Sequence, residues 1–230
     1  AFNRMTSQLQ QSQRDRALLL AGVSHDLRTP LTRLRLSAEF LNDEEMSQGI
    51  IADIEDMDAI LDQFISFIRD GADEQPDYEN LNDLIDEVAA KYPGEQLRIR
   101  QKDLPRLMLK RLTVKRMLSN LITNALKYGA APVEIDTALD DNALVLVVRD
   151  HGKGVREEDI PLLLQPFSRG EKARTLSGSG LGLAIVKRIV DMHHGEMALD
   201  NHPHGGLRVT IRFTLTGQLV QPETLSAGVR

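Results

Sequence analysis

The segment VSHDLRTPLTRLRL, Val23 to Leu36, sets a His-Asp pair and then Thr29-Pro30 inside what otherwise reads as a helix. Apolar residues at Leu20, Val23, Leu27, Leu31, Leu34, Ala38 and Leu41 alternate by threes and fours, which defines one helical stripe. A second stripe follows at Ile50, Ile54, Met57, Leu61, Phe64 and Ile68, with the acidic turn NDEE, Asn42 to Glu45, between them. Helices joined by so short a turn pack antiparallel. Flanking Ile51, Ile60 and Ile65 widen the apolar face beyond what one hairpin buries, so the expected completion is a second copy, a four-helix bundle across a homodimer. His25 lies between stripe positions Val23 and Leu27 and is expected to project off the seam toward solvent, where its ring can react. Asp26 could hold a proton on one ring nitrogen and sharpen the other as a nucleophile. The same pair also fits a plain solvated surface. Pro30 removes the hydrogen bond to the carbonyl of Asp26, so a bend is expected beside the pair.

Composition narrows the classes. The chain has 230 residues, 41% hydrophobic and 27% charged, ordinary values for folded protein and enough for two domains of about 100–200 residues. A formal net charge of -6 argues against a phosphate-backbone binder, so nucleic acid is not an expected partner. With no Cys there is no disulfide framework, thiolate nucleophile or Cys-type zinc site. The longest apolar run, Ala17 to Val23, falls short of the ~20 residues that cross a bilayer, and no signal peptide is expected at the start.

The helical pattern stops at RDGADEQPDYE, Arg69 to Glu79, which reads as a linker because it is acidic and holds Gly71 and Pro76. Beyond it the expected elements are a helix over Asn80–Tyr92, strands near Leu97–Arg100 and Arg106–Leu109, and a long helix over Val114–Tyr128. Strands at Val133–Ala138 and Ala143–Arg149, a short helix near Glu157–Leu164, a helix at Leu181–His193 and strands near Glu196–Leu199 and Gly206–Leu215 follow. This interleaving indicates α+β with helices on one face of a mixed sheet.

Four stretches of this second region could carry chemistry. In NLITNALKYG, Asn120 to Gly129, Asn120 and Asn124 share a helix face, and amide oxygens suit Mg²⁺ bound to a nucleotide, although two Asn that simply face water on a helix would look the same. In RDHGKG, Asp150 could accept from an exocyclic amine while Gly152 and Gly154 admit a flat ligand; turns use the same residues. In SGSGLGLAIVKRIV, glycines 178, 180 and 182 lead into a helix whose free N–H groups can face phosphates. This stretch is neither a dinucleotide fingerprint nor a Walker A sequence. QPFSRGEKART, with Arg169, Lys172 and Arg174, has the length of a lid. His193-His194 reads as a cation complementing a helix end, and with His202 and His204 it is not expected to bind metal.

In this order, SHDLRTPL, NLITNALKYG, DHGKG, QPFSRG and GSGLGL resemble the phosphoacceptor box, N box, first glycine box, F box and second glycine box of the sensor histidine kinases of two-component signalling. AGVSHDLRTPLTRLRL and RGEKARTLSGSGLGLAIVKRIVD are most similar to the proteobacterial osmosensor members, and AFNRM resembles the end of a HAMP linker. The resemblance implies two domains: a helical hairpin forming a dimeric four-helix bundle, then an α/β-sandwich ATP-binding domain of the histidine kinase, Hsp90 and MutL type. The implied boundaries are a HAMP-like end at 1–10, a dimerisation and phosphotransfer domain at 11–70, a linker at 71–79, the ATP-binding domain at 80–216 and a tail at 217–230. It implies that His25 is autophosphorylated from ATP, that Asp26 is its general base, and that Thr29 orients water in the reverse, phosphatase reaction. Asn124 would chelate Mg²⁺ with Asn120 supporting it, Lys127 would reach phosphate and Tyr128 would line the adenine or ribose side. Asp150 would bind the adenine amine beside Gly152 and Gly154. Gly178, Gly180 and Gly182 would form the phosphate lid, and Arg169 and Leu181 would complete the nucleotide set. The implied partners are a second copy and a response regulator of the OmpR type. The implied location is the inner membrane for the full-length protein, with this portion on its cytoplasmic side. An ATP-driven clamp of the Hsp90 and MutL type and a non-enzymatic dimerisation adaptor are the rival readings.

Overall fold

The computed structural model describes residues 27–41, 43–68, 74–140, 142–168 and 180–215, which fall into two compact units dividing after Asp70. In the first unit, residues 27–39 form helix α1 and Glu44–Ile68 form α2. The turn between them is set locally. Asp43 Oδ1 accepts from the Met46 N–H at 3.0 Å as an N-cap, and the Ser47 hydroxyl donates to the Ala38 carbonyl at 2.8 Å across the turn. In the cross-helix pairs Arg28–Asp58 at 3.9 Å and Arg35–Glu55 at 3.3 Å the partner on α2 moves back as the residue on α1 moves forward, the antiparallel register expected of a hairpin. Ala38 and Ile54 are buried, but Leu27, Leu34, Leu41, Ile50 and Met57 on the stripes stay exposed. One hairpin therefore leaves much of its apolar face uncovered. The acceptor that Pro30 would leave open, at residue 26, lies outside the described residues.

The second unit is built on a five-stranded sheet. Its strands are β2 (Leu97–Arg100), β4 (Val133–Asp140), β5 (Ala143–Arg149), β6 (Glu196–Asn201) and β7 (Leu207–Thr214), in the order β2-β4-β5-β7-β6. β2 runs parallel to β4 and every other pairing is antiparallel. The register stacks apolar rows across strands: Ile135 faces Val148 and Val148 faces Val209, while Leu146 faces Ile211 and Leu144 faces Phe213. Helices α3 (Leu81–Ala89), α4 (Arg111–Tyr128) and α6 (Gly182–Met192) supply Leu84, Ile85, Met117, Leu118, Leu121, Ile122, Ile185 and Val186, all buried. Each such side chain contributes about 1.5–3 kcal/mol relative to exposure. The alternate strand positions carry ion pairs instead, among them Arg149–Glu134 at 3.5 Å, Arg212–Asp140 at 2.6 Å and Arg208–Asp200. The short helix α5 is Ile160–Leu163.

Two expectations need correction. Asp77–Glu79, read as the end of the linker, is strand β1, paired antiparallel with β3 (Leu107–Leu109) in a separate two-stranded sheet. Asp-Tyr-Glu after a proline is too short to show a period of its own, and a distant partner makes it a strand. The long helix starts at Arg111 rather than Val114, because its first N–H groups are met by side chains from outside the helix.

Candidate functional site

Asn120, Asn124, Lys127 and Tyr128 occupy the part of α4 left over once its buried face has packed on the sheet. Asn120 donates from Nδ2 to the Arg116 carbonyl at 2.9 Å, so its amide is held along its own helix. Asn124 meets the start of α6: a Cβ at Gly182 would lie 2.5 Å from Asn124 Nδ2 and 2.7 Å from its Oδ1. The two stretches, far apart in sequence, thus touch at a point where any side chain on residue 182 would displace the amide. α6 starts there with no side-chain cap on its N-terminal N–H groups, a setting that favours an anion. Lys127 Nζ lies 5.9 Å from the Tyr128 ring centre, and Tyr128 is half exposed. Leu181 is fully buried and holds the entry to α6 in place.

Asp150 follows β5 and is 6% exposed. Its backbone N–H bonds the Leu207 carbonyl at 3.1 Å, and its Oδ1 accepts from the Gly152 N–H at 2.7 Å. A Cβ on Gly129 would sit 2.2 Å from its carboxyl carbon, and one on Gly206 only 1.7 Å from its backbone oxygen. The carboxylate therefore lies in a cradle that side chains at those glycines would fill. Burial pushes its pKa up, against the pull of the Gly152 and Leu207 hydrogen bonds. Past Gly154 the loop is clamped by Asn201, which accepts from the Val155 N–H at 2.9 Å and donates to the Val155 carbonyl at 2.7 Å. His151 N–H bonds the Ala130 carbonyl at 3.0 Å, tying the same loop to the end of α4. Gly180 closes against Phe167 and Ser168, so the described residues on either side of 169–179 adjoin.

Among the candidate residues, then, Asn124 and Gly182 meet, Asp150 and Gly152 join Gly129 and Gly206, and Gly154 meets Asn201; Gly129, Gly206 and Asn201 were not singled out from sequence. Gly206 and Asn201 follow no local pattern near Asp150; only the β5–β7 register brings them there. Thr29 lies on α1 and is exposed. His25, Asp26, Arg169 and Gly178 lie outside the described residues, as do the HAMP-like start and the tail.

His193 departs from the reading as a cation at a helix end. It is buried, with Nδ1 2.8 Å from the Ile189 carbonyl and Nε2 accepting from the Lys110 N–H at 3.1 Å, the pattern of a neutral ring protonated at Nδ1. Burial pulls its pKa down, opposed by the Ile189 hydrogen bond. With the folded pKa below the unfolded value of about 6.5, the unfolded chain takes the proton first. The stability that neutral His193 provides is full above about pH 6.5 and is lost as pH falls below it. Thermal melts from about pH 7 to about pH 5 should therefore fall more steeply for the parent than for His193→Gln. Parallel slopes would remove His193 as the cause.

No group of three or more potential metal-ligating side chains occurs among the described residues, and no described helix is long and apolar enough to cross a membrane.

A buried carboxylate in a glycine cradle thus lies on a mixed sheet beside an Asn-bearing helix that meets the start of a second helix. Residues 110–217 match the family described as Histidine kinase-, DNA gyrase B-, and HSP90-like ATPase, and residues 15–72 match the His Kinase A (phospho-acceptor) domain. With both regions present in this order, the chain belongs to the sensor histidine kinases. It is 34% identical over 94% of its length to the sensor histidine kinase GtrS of Pseudomonas aeruginosa, covering 46% of that protein. Its fold is similar to that of full-length ShkA in complex with AMPPNP, with a TM-score of 0.69 at 20% identity, covering 88% of this chain and 46% of that one. The histidine kinase domain of the Escherichia coli osmosensor EnvZ matches with a TM-score of 0.50 at 33% identity, over 64% of this chain and 93% of that one. The chain spans about half the length of the curated relatives it matches.

Proposed function

We propose that this chain phosphorylates its own His25 from Mg²⁺-ATP, passes the phosphoryl group to an aspartate of a response regulator, and also dephosphorylates that regulator. The observation that carries this reading is the convergence of the N box with the second glycine box at Asn124 and Gly182, together with the glycine cradle around Asp150. The residues fit a nucleotide: Asp150 would accept from the adenine amine, Gly152 and Gly154 would form that wall, and Tyr128 would line the adenine or ribose side. Asn124 would ligate Mg²⁺ with Asn120 beside it, and Lys127, Arg169 and the glycines at 178, 180 and 182 with Leu181 would surround phosphates. ATP supplies the phosphoryl group and Mg²⁺ neutralises its charge, so the protein's own work is in-line positioning of the His25 ring, with Asp26 taking its proton.

The exposed stripe residues Leu27, Leu34, Leu41, Ile50 and Met57 support a homodimeric bundle, since a second hairpin would cover them. The division at residue 70 supports a phosphotransfer domain before the linker and an ATP-binding domain after it. The narrower reading is an osmosensor kinase with an OmpR-type regulator, anchored in the inner membrane in its full-length form. It rests on the phosphoacceptor and lid segments and on 33% identity to the EnvZ domain, a figure matched by 34% identity to GtrS. Incubation with γ-labelled ATP, mapping of the labelled residue and then addition of a panel of response regulators tests both levels. Label on a residue other than His25 would sink the first, and preferential transfer outside the OmpR type would sink the second.

Thr29 is exposed on α1, four residues after His25 in sequence, where its hydroxyl can hold a water. Thr29→Ala should keep autophosphorylation and slow dephosphorylation of the regulator by about tenfold or more, the equivalent of one lost hydrogen bond to a reacting water. Equal phosphatase rates in the two proteins would count against it.

A further inference from the structure

The first turn of α4 carries no acidic residue, and its N-cap Lys110 makes no side-chain cap bond. Arg111 opens the helix, a poor match for the positive end of its dipole. The free donors are met from elsewhere. Lys110 N–H goes to His193, while Glu74 accepts from the Leu112 N–H at 2.6 Å, the Thr113 N–H at 3.0 Å and the Thr113 hydroxyl at 2.5 Å. Thr113 is buried, so the carboxylate closes over a point removed from solvent. Three charge-assisted bonds from one side chain make a firm attachment.

Glu74 belongs to the stretch that joins the two units, and attachment there is not needed to fasten the sheet. β1 begins three residues later and is already pinned by the pairing of Asp77 with Leu109. Gln75 and Pro76 between the two attachments are exposed. What Glu74 adds is an earlier point of departure of the chain from the ATP-binding unit.

We infer that Glu74 is the anchor that fixes the length of tether through which the ATP-binding unit reaches His25, which makes it a positioning residue for phosphoryl transfer. This role rests on the kinase reading above. From the end of α2 at Ile68 to Glu74 an extended chain spans at most about 20 Å; without the anchor the tether runs on to Asp77 and gains about 10 Å. Effective concentration falls roughly as the −3/2 power of linker length, so going from six to nine residues lowers it by about twofold before any loss of alignment.

The test uses the full chain with Gly-Ser-Gly inserted at one of two places: before the anchor, between Asp70 and Gly71, or after it, between Gln75 and Pro76. Each insertion is made with Glu74 present and with Glu74→Ala. With Glu74 present, the first insertion should slow autophosphorylation by about twofold or more and the second should be silent. Glu74→Ala should slow it alone, and in that background the second insertion should slow it further. Mg²⁺-ATP affinity should stay the same throughout, which separates a tether effect from a damaged nucleotide site. Equal effects of the two insertions in the Glu74 chain, or an unchanged rate in Glu74→Ala, would overturn the inference. If Glu74→Ala does not fold, the two insertions in the parent decide it. A parent that places no phosphate on His25 sinks the kinase reading instead. Amide hydrogen exchange at Leu112 and Thr113 then still tests the anchor, protection lost in Glu74→Ala but kept in both insertions supporting it and unchanged protection overturning it.

Discussion

Asp150→Asn is expected to weaken ATP binding by about 10- to 100-fold, while the nucleotide-free domain melts no lower than the parent. A hydrogen bond to a charged group is worth about 1.5–3 kcal/mol, and each 1.4 kcal/mol is a factor of ten. Asn keeps the shape that the cradle of Gly129, Gly152 and Gly206 allows, and its Oδ1 can still accept from the Gly152 N–H, so the loop has no reason to move. What changes is the other carboxylate oxygen, which becomes an NH₂ and sets donor against donor at an exocyclic amine. The stability half follows from linkage. Burial holds the Asp150 pKa above its ordinary value, so the ionised group is better tolerated in the unfolded chain. Its contribution to stability is full below the unfolded pKa and is lost as pH rises through the folded one. At neutral pH the folded domain carries that burden, and the amide relieves it. Calorimetric titration with Mg²⁺-ATP and a melting curve without nucleotide read the two halves. Unchanged affinity would remove Asp150 from the adenine site, and a marked drop in melting temperature would mean that its charge is structural.

Elements with strong local periodicity were legible from residues alone. β5 lies at Ala143–Arg149 as its apolar run indicates, and α6 differs from the expected helix by one residue at each end. Illegible features share one physical cause, a partner distant in the chain. β1 exists because Leu107–Leu109 pairs with it; α4 gains its first turn from Glu74 and His193; Asn201 clamps Val155 across the sheet. The same holds within the site. Motif spacing singles out Asp150 and Asn124, but not the reason that residues 129, 182 and 206 are glycine. That reason is close approach of residues 129 and 182 to those two side chains and of residue 206 to the main-chain carbonyl of Asp150, which appears only once α4, α6 and the β5–β7 corner are assembled. His193 shows the converse error, because a histidine at a helix end looks like a cation until its ring is found buried between two helices.

His25→Ala should reduce incorporation of acid-labile, base-stable phosphate to background, with Mg²⁺-ATP affinity unchanged. The acceptor must present an unprotonated ring nitrogen to the phosphoryl group, and acid-labile, base-stable phosphate is the mark of the P–N bond that forms. Of the six histidines, His25 alone precedes the division at residue 70, the other five lying between 151 and 204. Those five are poor substitutes. His193 is buried with Nε2 taken by the Lys110 N–H, and His151 has its Nε2 3.4 Å from Glu134. His202 and His204 face each other with ring centres 5.5 Å apart in the turn after β6, where the His202 Nδ1 accepts from the His204 N–H at 3.2 Å. His194 follows His193 in the turn after α6. Asn120, Asn124, Lys127, Tyr128, Asp150, Gly152 and Gly182, proposed for the nucleotide, all belong to the second unit, so removing the ring should leave ATP affinity at the parental value. Phosphate retained on His25→Ala would move the nucleophile into the ATP-binding unit itself. The chain would then label one of its own surface histidines, and the helical hairpin would have to act in dimerisation alone.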